Sequence, residues 1–249
     1  MTDADPLGPL LDLPGVPDAV RDARAAVDEV HRHPTNRKGW PTTAAEASVR
    51  AARASAVLDG GGAEIPAGGA VDDPVLAGAL RISEAIGHLL ATWRRAPLQA
   101  LARLHVLAAA DLVPEAGEDT LGRPRAGRAV SARLDLLAQL VAGGTSVPGP
   151  LLVAVVHGEL LDLAPFEVGN GVVARAAARL TAISTGLDPK GLTVPEVACL
   201  RRADRYRDTA RAFGEGDPDG VRDWLLFCCE TFVAGAREAT SIADAAVPS

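Results

Sequence analysis

An all-α domain is what this sequence predicts, and three observations carry the expectation. Alanine and leucine dominate while aromatic residues are only 3%, and strand-like alternation of β-branched residues is rare. Segment after segment repeats apolar residues at helical spacing. Prolines and glycines stand between those segments, where helices begin and end. Bulk properties narrow the class further. At 249 residues and 48% apolar the chain can bury a substantial core as one folded unit. A net charge of −7 builds in no general attraction to nucleic acid or anionic lipid. Three cysteines, two of them adjacent at Cys228 and Cys229, do not form a secreted disulfide framework, so the expected compartment is the cytoplasm. The longest apolar run, Leu151 to Val156, is far short of the roughly 20 residues that span a bilayer, and no membrane segment is expected.

The elements follow in chain order. The first sixteen residues are acidic and broken by Pro6, Pro9 and Pro14, which reads as a loose arm. Residues 17–43 read as a helix and a loop: Val20, Ala23, Val27 and Val30 recur at helical spacing after Pro17, and His33-Pro34 ends them before a loop to Pro41. A main helical domain is expected over 44–240. Thr43-Ala44-Ala45-Glu46 reads as a capping box opening a helix that stops at Leu58, before Gly60-Gly61-Gly62. Asp73-Pro74 opens the next helix, to Trp93, and Pro97 opens its partner, to about Ala110. The Gly-, Pro- and Arg-rich stretch from Asp111 to Arg128 reads as a short hairpin or irregular flap with its tip at Gly122-Arg123-Pro124-Arg125. Helices are then expected at Val130–Val141, at Pro148–Leu163 as the buried centre, at Val172–Ser184, at Pro195–Phe213 and from Pro218 to about Ala239. Residues 241–249 are left as a tail. Trp93, Trp224 and Phe227 read as core anchors and the adjacent cysteines as core thiols.

The turn from Ala164 to Gly171 is where chemistry concentrates. Two glycines around Asn170, directly before a helix, let backbone amides point outward beside the positive end of that helix, which makes an anion cradle. Arg175 falls on the first turns and leans toward the helix start, so its guanidinium can join those amides around a phosphate, and Arg179 lies one turn further. The plainer reading is a turn that only bends the chain, with Arg175 paired to a surface carboxylate. A dinucleotide-binding loop is excluded because a helix and not a strand precedes the turn. His157-Gly158-Glu159 has the H-x-E form of zinc deaminases but lacks the Pro-Cys-x-x-Cys that must follow. His157 therefore reads as a core histidine, and no metal site is expected.

Helix, then Pro-Phe-x-x-Gly-Asn-Gly-x-x-x-Arg, then helix resembles the Fic (Fido) family, whose motif is H-P-F-x-[DE]-G-N-G-R-x-x-R and whose members typically transfer AMP from ATP to protein hydroxyls. Pro165, Phe166, Gly169, Asn170, Gly171 and Arg175 match in order. The resemblance implies a Fic-like helical domain, a phosphate- or nucleotide-binding role for Gly169, Asn170, Gly171 and Arg175, and a nucleoside triphosphate as ligand. Three positions depart from the motif. Ala164 stands where the family has its general-base histidine, Val168 where an acidic residue holds Mg²⁺, and Val172 where the first arginine stands. A general base is worth about 10² to 10⁴ in rate and the metal's charge supports the transfer itself, so neither catalytic residues nor Mg²⁺ binding are expected. Glu167 is the neighbour that could replace the metal ligand. An active adenylyltransferase, or another nucleotidyl- or phosphotransferase with a relocated base, is the alternative.

Two further elements carry the resemblance. Ser55-Ala56-Val57-Leu58-Asp59-Gly60 is similar to the family's inhibitory motif [ST]-x-x-x-E-[GN], with Asp59 one methylene shorter than glutamate. It implies that Ser55 and Asp59 face Arg175; the plainer reading is a helix-face hydroxyl and a solvated carboxylate. The flap residues Gly122, Arg123 and Arg125 are similar in position to the family's target-docking hairpin, which implies a protein partner recruited by strand addition. The expected function is a degenerate, non-catalytic Fic-like module that binds a nucleotide, a phosphate or a protein.

Overall fold

The computed structural model describes residues 5–246, which contain eleven α-helices and no strand. They are α1 (Val16–Arg32), α2 (Pro34–Lys38), α3 (Trp40–Leu58), α4 (Pro74–Arg95), α5 (Pro97–Ala109), α6 (Arg128–Gln139), α7 (Gly149–Leu163), α8 (Asn170–Ser184), α9 (Pro195–Arg201), α10 (Ala203–Glu215) and α11 (Pro218–Ala245). Helix α7 is the centre, as its all-round apolar sequence requires: every residue from Pro150 to Gly158 is buried. Its Leu152, Val156 and Leu160 join one core cluster with α4, α5 and α8 around Trp93 and Leu104. Its Leu151 and Val155 join a second cluster with α1 and α11 around Trp224 and Phe227. Close approach at the centre depends on Gly158, where a Cβ would collide with the rings of Trp224 and Phe213. The Trp224 indole in turn donates to the Ala154 carbonyl at 2.8 Å.

Helix α4 is long and apolar. Its stripe of Leu76, Ile82, Ile86, Leu89 and Trp93 is nonetheless spent on the core. The helix opens as its sequence predicts, with the Asp73 carboxylate accepting from the Leu76 amide at 2.7 Å. Val16, Val20, Ala23, Val27 and Val30 line the buried face of α1.

Several boundaries differ from the expectation. From residue 5 the N-terminal segment is not loose: Leu7, Leu10, Leu11 and Leu13 pack on the core, and the Asp5 carboxylate accepts from the Thr145 and Ser146 hydroxyls at 2.7 and 2.8 Å. Those bonds, with the Ser146 amide first among them, hold its pKa below the ordinary carboxylate value. Residues 1–4 and 247–249 lie outside the described residues. Thr43 and Glu46 form no capping box, because Pro41 lets α3 start four residues earlier, at Trp40. Inside the helix the Thr43 hydroxyl donates to Asn36 Oδ1 at 2.7 Å, and Glu46 pairs with Arg50. The expected loop from Pro34 to Pro41 contains α2. The stretch Pro195–Phe213 is two helices broken at Arg202, and α11 runs on to Ala245, so most of the expected tail is helix. The flap is irregular, a 3₁₀ helix at Glu115–Thr120 followed by a turn at Leu121–Gly122 and a run without regular structure to Gly127.

Candidate functional site: a cradle closed from within

The α7–α8 turn is shaped by two left-handed residues. Gly169 takes φ 72° at the start of α8, which glycine adopts freely. Ala164 takes φ 40° at the end of α7, a conformation that side-chain-bearing residues rarely hold. Asn170 clamps the loop between them. Its Oδ1 accepts from the Phe166 amide and its Nδ2 donates to the Phe166 carbonyl, both at 2.8 Å. Asn170 thus serves the cradle by fixing its shape, with both polar ends of its side chain committed to Phe166.

The cradle itself holds a carboxylate from this chain. Asp59, just past the last turn of α3, accepts from the Val172 amide through Oδ2 at 2.9 Å and from Arg175 Nη2 through Oδ1 at 2.7 Å. A Cβ on Gly171 would fall inside van der Waals distance of both Asp59 oxygens, so glycine is what lets the carboxylate sit on the helix N-terminus. Arg175 is 97% buried at its side chain. Its Nε donates to Ser55 Oγ at 2.8 Å, Nη2 also to the Ser55 carbonyl at 3.0 Å, and Nη1 to the Tyr206 hydroxyl at 3.3 Å. Burial opposes the charge, but Tyr206 and Asp59 outweigh it and hold the guanidinium pKa above its ordinary value. Ser55, Asp59, Gly171 and Arg175 are therefore brought together, and the plainer readings of Arg175 and Asp59 as surface groups do not hold.

Behind the arginine lies a neutral imidazole. Burial first, and then the Arg175 charge, push His157 down to about 3. The Tyr206 hydroxyl accepts from Arg175 Nη1 and shares a 2.8 Å hydrogen bond with His157 Nε2. Burial raises the Tyr206 pKa, so the phenol stays protonated. The cavities that touch Arg175 on its inner side hold about 30 Å³ each, room for a water molecule and far below the several hundred Å³ of a nucleotide site. Arg179 does not reach the cradle. It donates to the Gly191 and Thr193 carbonyls at 2.6 and 3.2 Å and braces the loop before α9.

The flap is docked on the same turn. The Arg125 amide donates to the Pro165 carbonyl at 2.7 Å, and its guanidinium caps α7 through the Leu163 and Ala164 carbonyls at 2.9 Å each. Gly122, at φ 76°, donates its amide to His105 Nδ1 at 2.9 Å, while Arg123 is exposed. His105 stacks flat on Phe166, ring centroids 4.0 Å apart. Burial lowers its pKa. Val172 is buried, Val168 is partly buried, Glu167 is exposed, and no group of three or more metal-ligating side chains occurs among the described residues.

Two residues here were not singled out from sequence, His105 and Tyr206. Tyr206 is the one tyrosine in the chain, set between arginines on a mostly polar helix, and that isolation is the signal that could have found it. His105 carries no such mark.

No protein-family model matches the sequence, and no curated protein matches it. Solved structures do match. A Fic family protein from Desulfovibrio desulfuricans G20, whose crystal structure was determined at 2.70 Å, superposes with a TM-score of 0.72 over 92% of this chain and 76% of its own, at 20% sequence identity. The fold is therefore Fic-like and all-α, as the motif and the helical periodicity predict.

Proposed function

We propose that this Fic-like domain is a non-catalytic binding or interaction module whose anion cradle is kept closed by its own carboxylate. The observation that carries the reading is Asp59 bridging the Val172 amide and Arg175. A phosphate entering the cradle has to displace that carboxylate and then meets an arginine and helix amides, with Val168 in place of the metal ligand; the binding it can gain is that of a bare anion. The missing base points the same way. Ala164 has no titratable group, the His105 Nδ1 lone pair is taken by the Gly122 amide while its Nε2 is buried without a partner, and His157 is bonded to Tyr206. A transferase with a relocated base would need a proton acceptor at the cradle mouth, and Glu167 is the exposed carboxylate nearest in sequence.

Incubation with labelled ATP and Mg²⁺ tests the reading. The expected result is no AMP transfer to the protein itself or to lysate proteins. Labelling that disappears in the Asn170→Ala variant overturns it and establishes the transferase alternative.

A further inference from the structure

A second feature lies away from the cradle and shares no residue with it. Between α9 and α11 the surface opens into a groove of about 440 Å³, floored by Ala198, Val233 and Ala234 and rimmed by Arg201, Arg202, Arg237 and the carboxylate of Glu230. The charge around it runs against that of the whole molecule. Arg202 and Arg205 share the single carboxylate of Glu230, each at 2.7 Å, and Arg50 and Arg201 share Glu238 at 2.7 and 3.2 Å. Arg50 also pairs with Glu46 at 2.7 Å, and Arg237 is exposed with no ion pair among the described residues. Five guanidiniums thus face three carboxylates, an excess of two positive charges in a chain whose net charge is −7.

Two of these arginines are already held in place. The guanidiniums of Arg202 and Arg205 lie 5.0 and 5.3 Å from the centre of the Phe227 ring, which stacks them and lowers the entropy lost when they bind. The exposed side chains of Arg201 and Arg237 supply planar donor forks that match carboxylates in pairs. Small apolar residues between them leave space for an aliphatic side chain, which a bare polyanion would not fill.

We propose that the α9–α11 groove docks a short acidic segment of a partner protein, with carboxylates on the arginine rim and an aliphatic side chain on the alanine and valine floor. The apolar floor, which takes an aliphatic side chain, favours this occupant over nucleic acid or an anionic membrane.

The test is fluorescence anisotropy of a fluorescein-labelled peptide alternating glutamate and leucine, titrated with the full chain. Saturable binding is expected, weakening about tenfold or more between low and physiological salt. It should be lost in the Arg201→Glu/Arg237→Glu variant, reduced in Arg237→Gln, and unchanged in Arg21→Glu/Arg24→Glu on α1. A peptide with glutamine in place of glutamate should not bind. Circular dichroism melts of each variant separate loss of the groove from loss of the fold. Absence of saturable binding, equal binding by the charge-reversed variant, or tighter binding to duplex DNA or phosphatidylserine vesicles than to the peptide overturns the proposal.

Discussion

Removing the Asp59 carboxylate sets the stability of the closed cradle against its capacity for an outside anion. A fully buried ion pair broken on one side costs about 3–5 kcal/mol. Here the Asp59 side chain is 24% exposed, and Arg175 keeps Ser55 and Tyr206 as partners. We therefore expect Asp59→Ala to cost about 2–3 kcal/mol, a fall in Tm of about 4–12 °C for a chain of this size. The same variant uncovers the Val172 amide and one face of the guanidinium, so inorganic phosphate should restore part of the loss: saturation a hundredfold above Kd returns about 2.7 kcal/mol. Wild-type protein should show little such response, and the rescue should need no Mg²⁺. Gly171→Ala supplies a second arm with opposite signs. In the wild type the new methyl group collides with the Asp59 carboxylate and destabilises; in the Asp59→Ala background the collision is gone, and alanine in a helix should stabilise by up to about 1 kcal/mol. Differential scanning fluorimetry of the four proteins, with and without phosphate, reads both effects. A Tm change under about 1 °C in Asp59→Ala, the same phosphate response in wild type and variant, or a Gly171→Ala effect of one sign in both backgrounds refutes the reasoning.

Two further outcomes are expected. Asn170→Ala removes both clamps on Phe166 and should lower stability by about 2 kcal/mol, measured as a fall in urea midpoint at unchanged m-value. The folded pKa of His157, about 3, lies below the ordinary 6.5, so the unfolded chain takes up the proton first; stability falls as pH drops from 6.5 toward 3, by at most about 1.4 kcal/mol per pH unit. His157→Gln should flatten that slope in urea titrations between pH 5 and 6.5, the remainder coming from His105, whose pKa burial also lowers. An unchanged slope would show that the imidazole takes up its proton alike in the folded and unfolded chain, and that its pKa is not lowered by folding.

What the residues declared by themselves were the features set by local rules. The period of the apolar residues gave away the helices, Asp73 and Pro97 their starts, and the contiguous apolar run of α7 its place at the centre, because burial on all sides needs a sequence apolar on all sides. The Gly-Asn-Gly turn was legible too, since a left-handed glycine directly before a helix is a local feature. Local rules failed where a distant group competed. The prolines of the N-terminal segment promised a loose arm until Asp5 found Thr145 and Ser146, some 140 residues away, whereas Thr43 lost its cap to a nearer rule, the earlier helix start that Pro41 allows. The resemblance had Asp59 facing Arg175; tertiary structure added that the carboxylate also takes the Val172 amide and so fills the cradle. Asp59 and Arg175 stand 116 positions apart, and only the packing of α3 on α8 brings the carboxylate to the helix N-terminus. It also decided that the flap is docked and that Tyr206 joins His157 to Arg175. The reason is physical: a hydrogen bond acts over about 3 Å, and which groups come that close is settled by how whole helices pack, which no short stretch of sequence specifies.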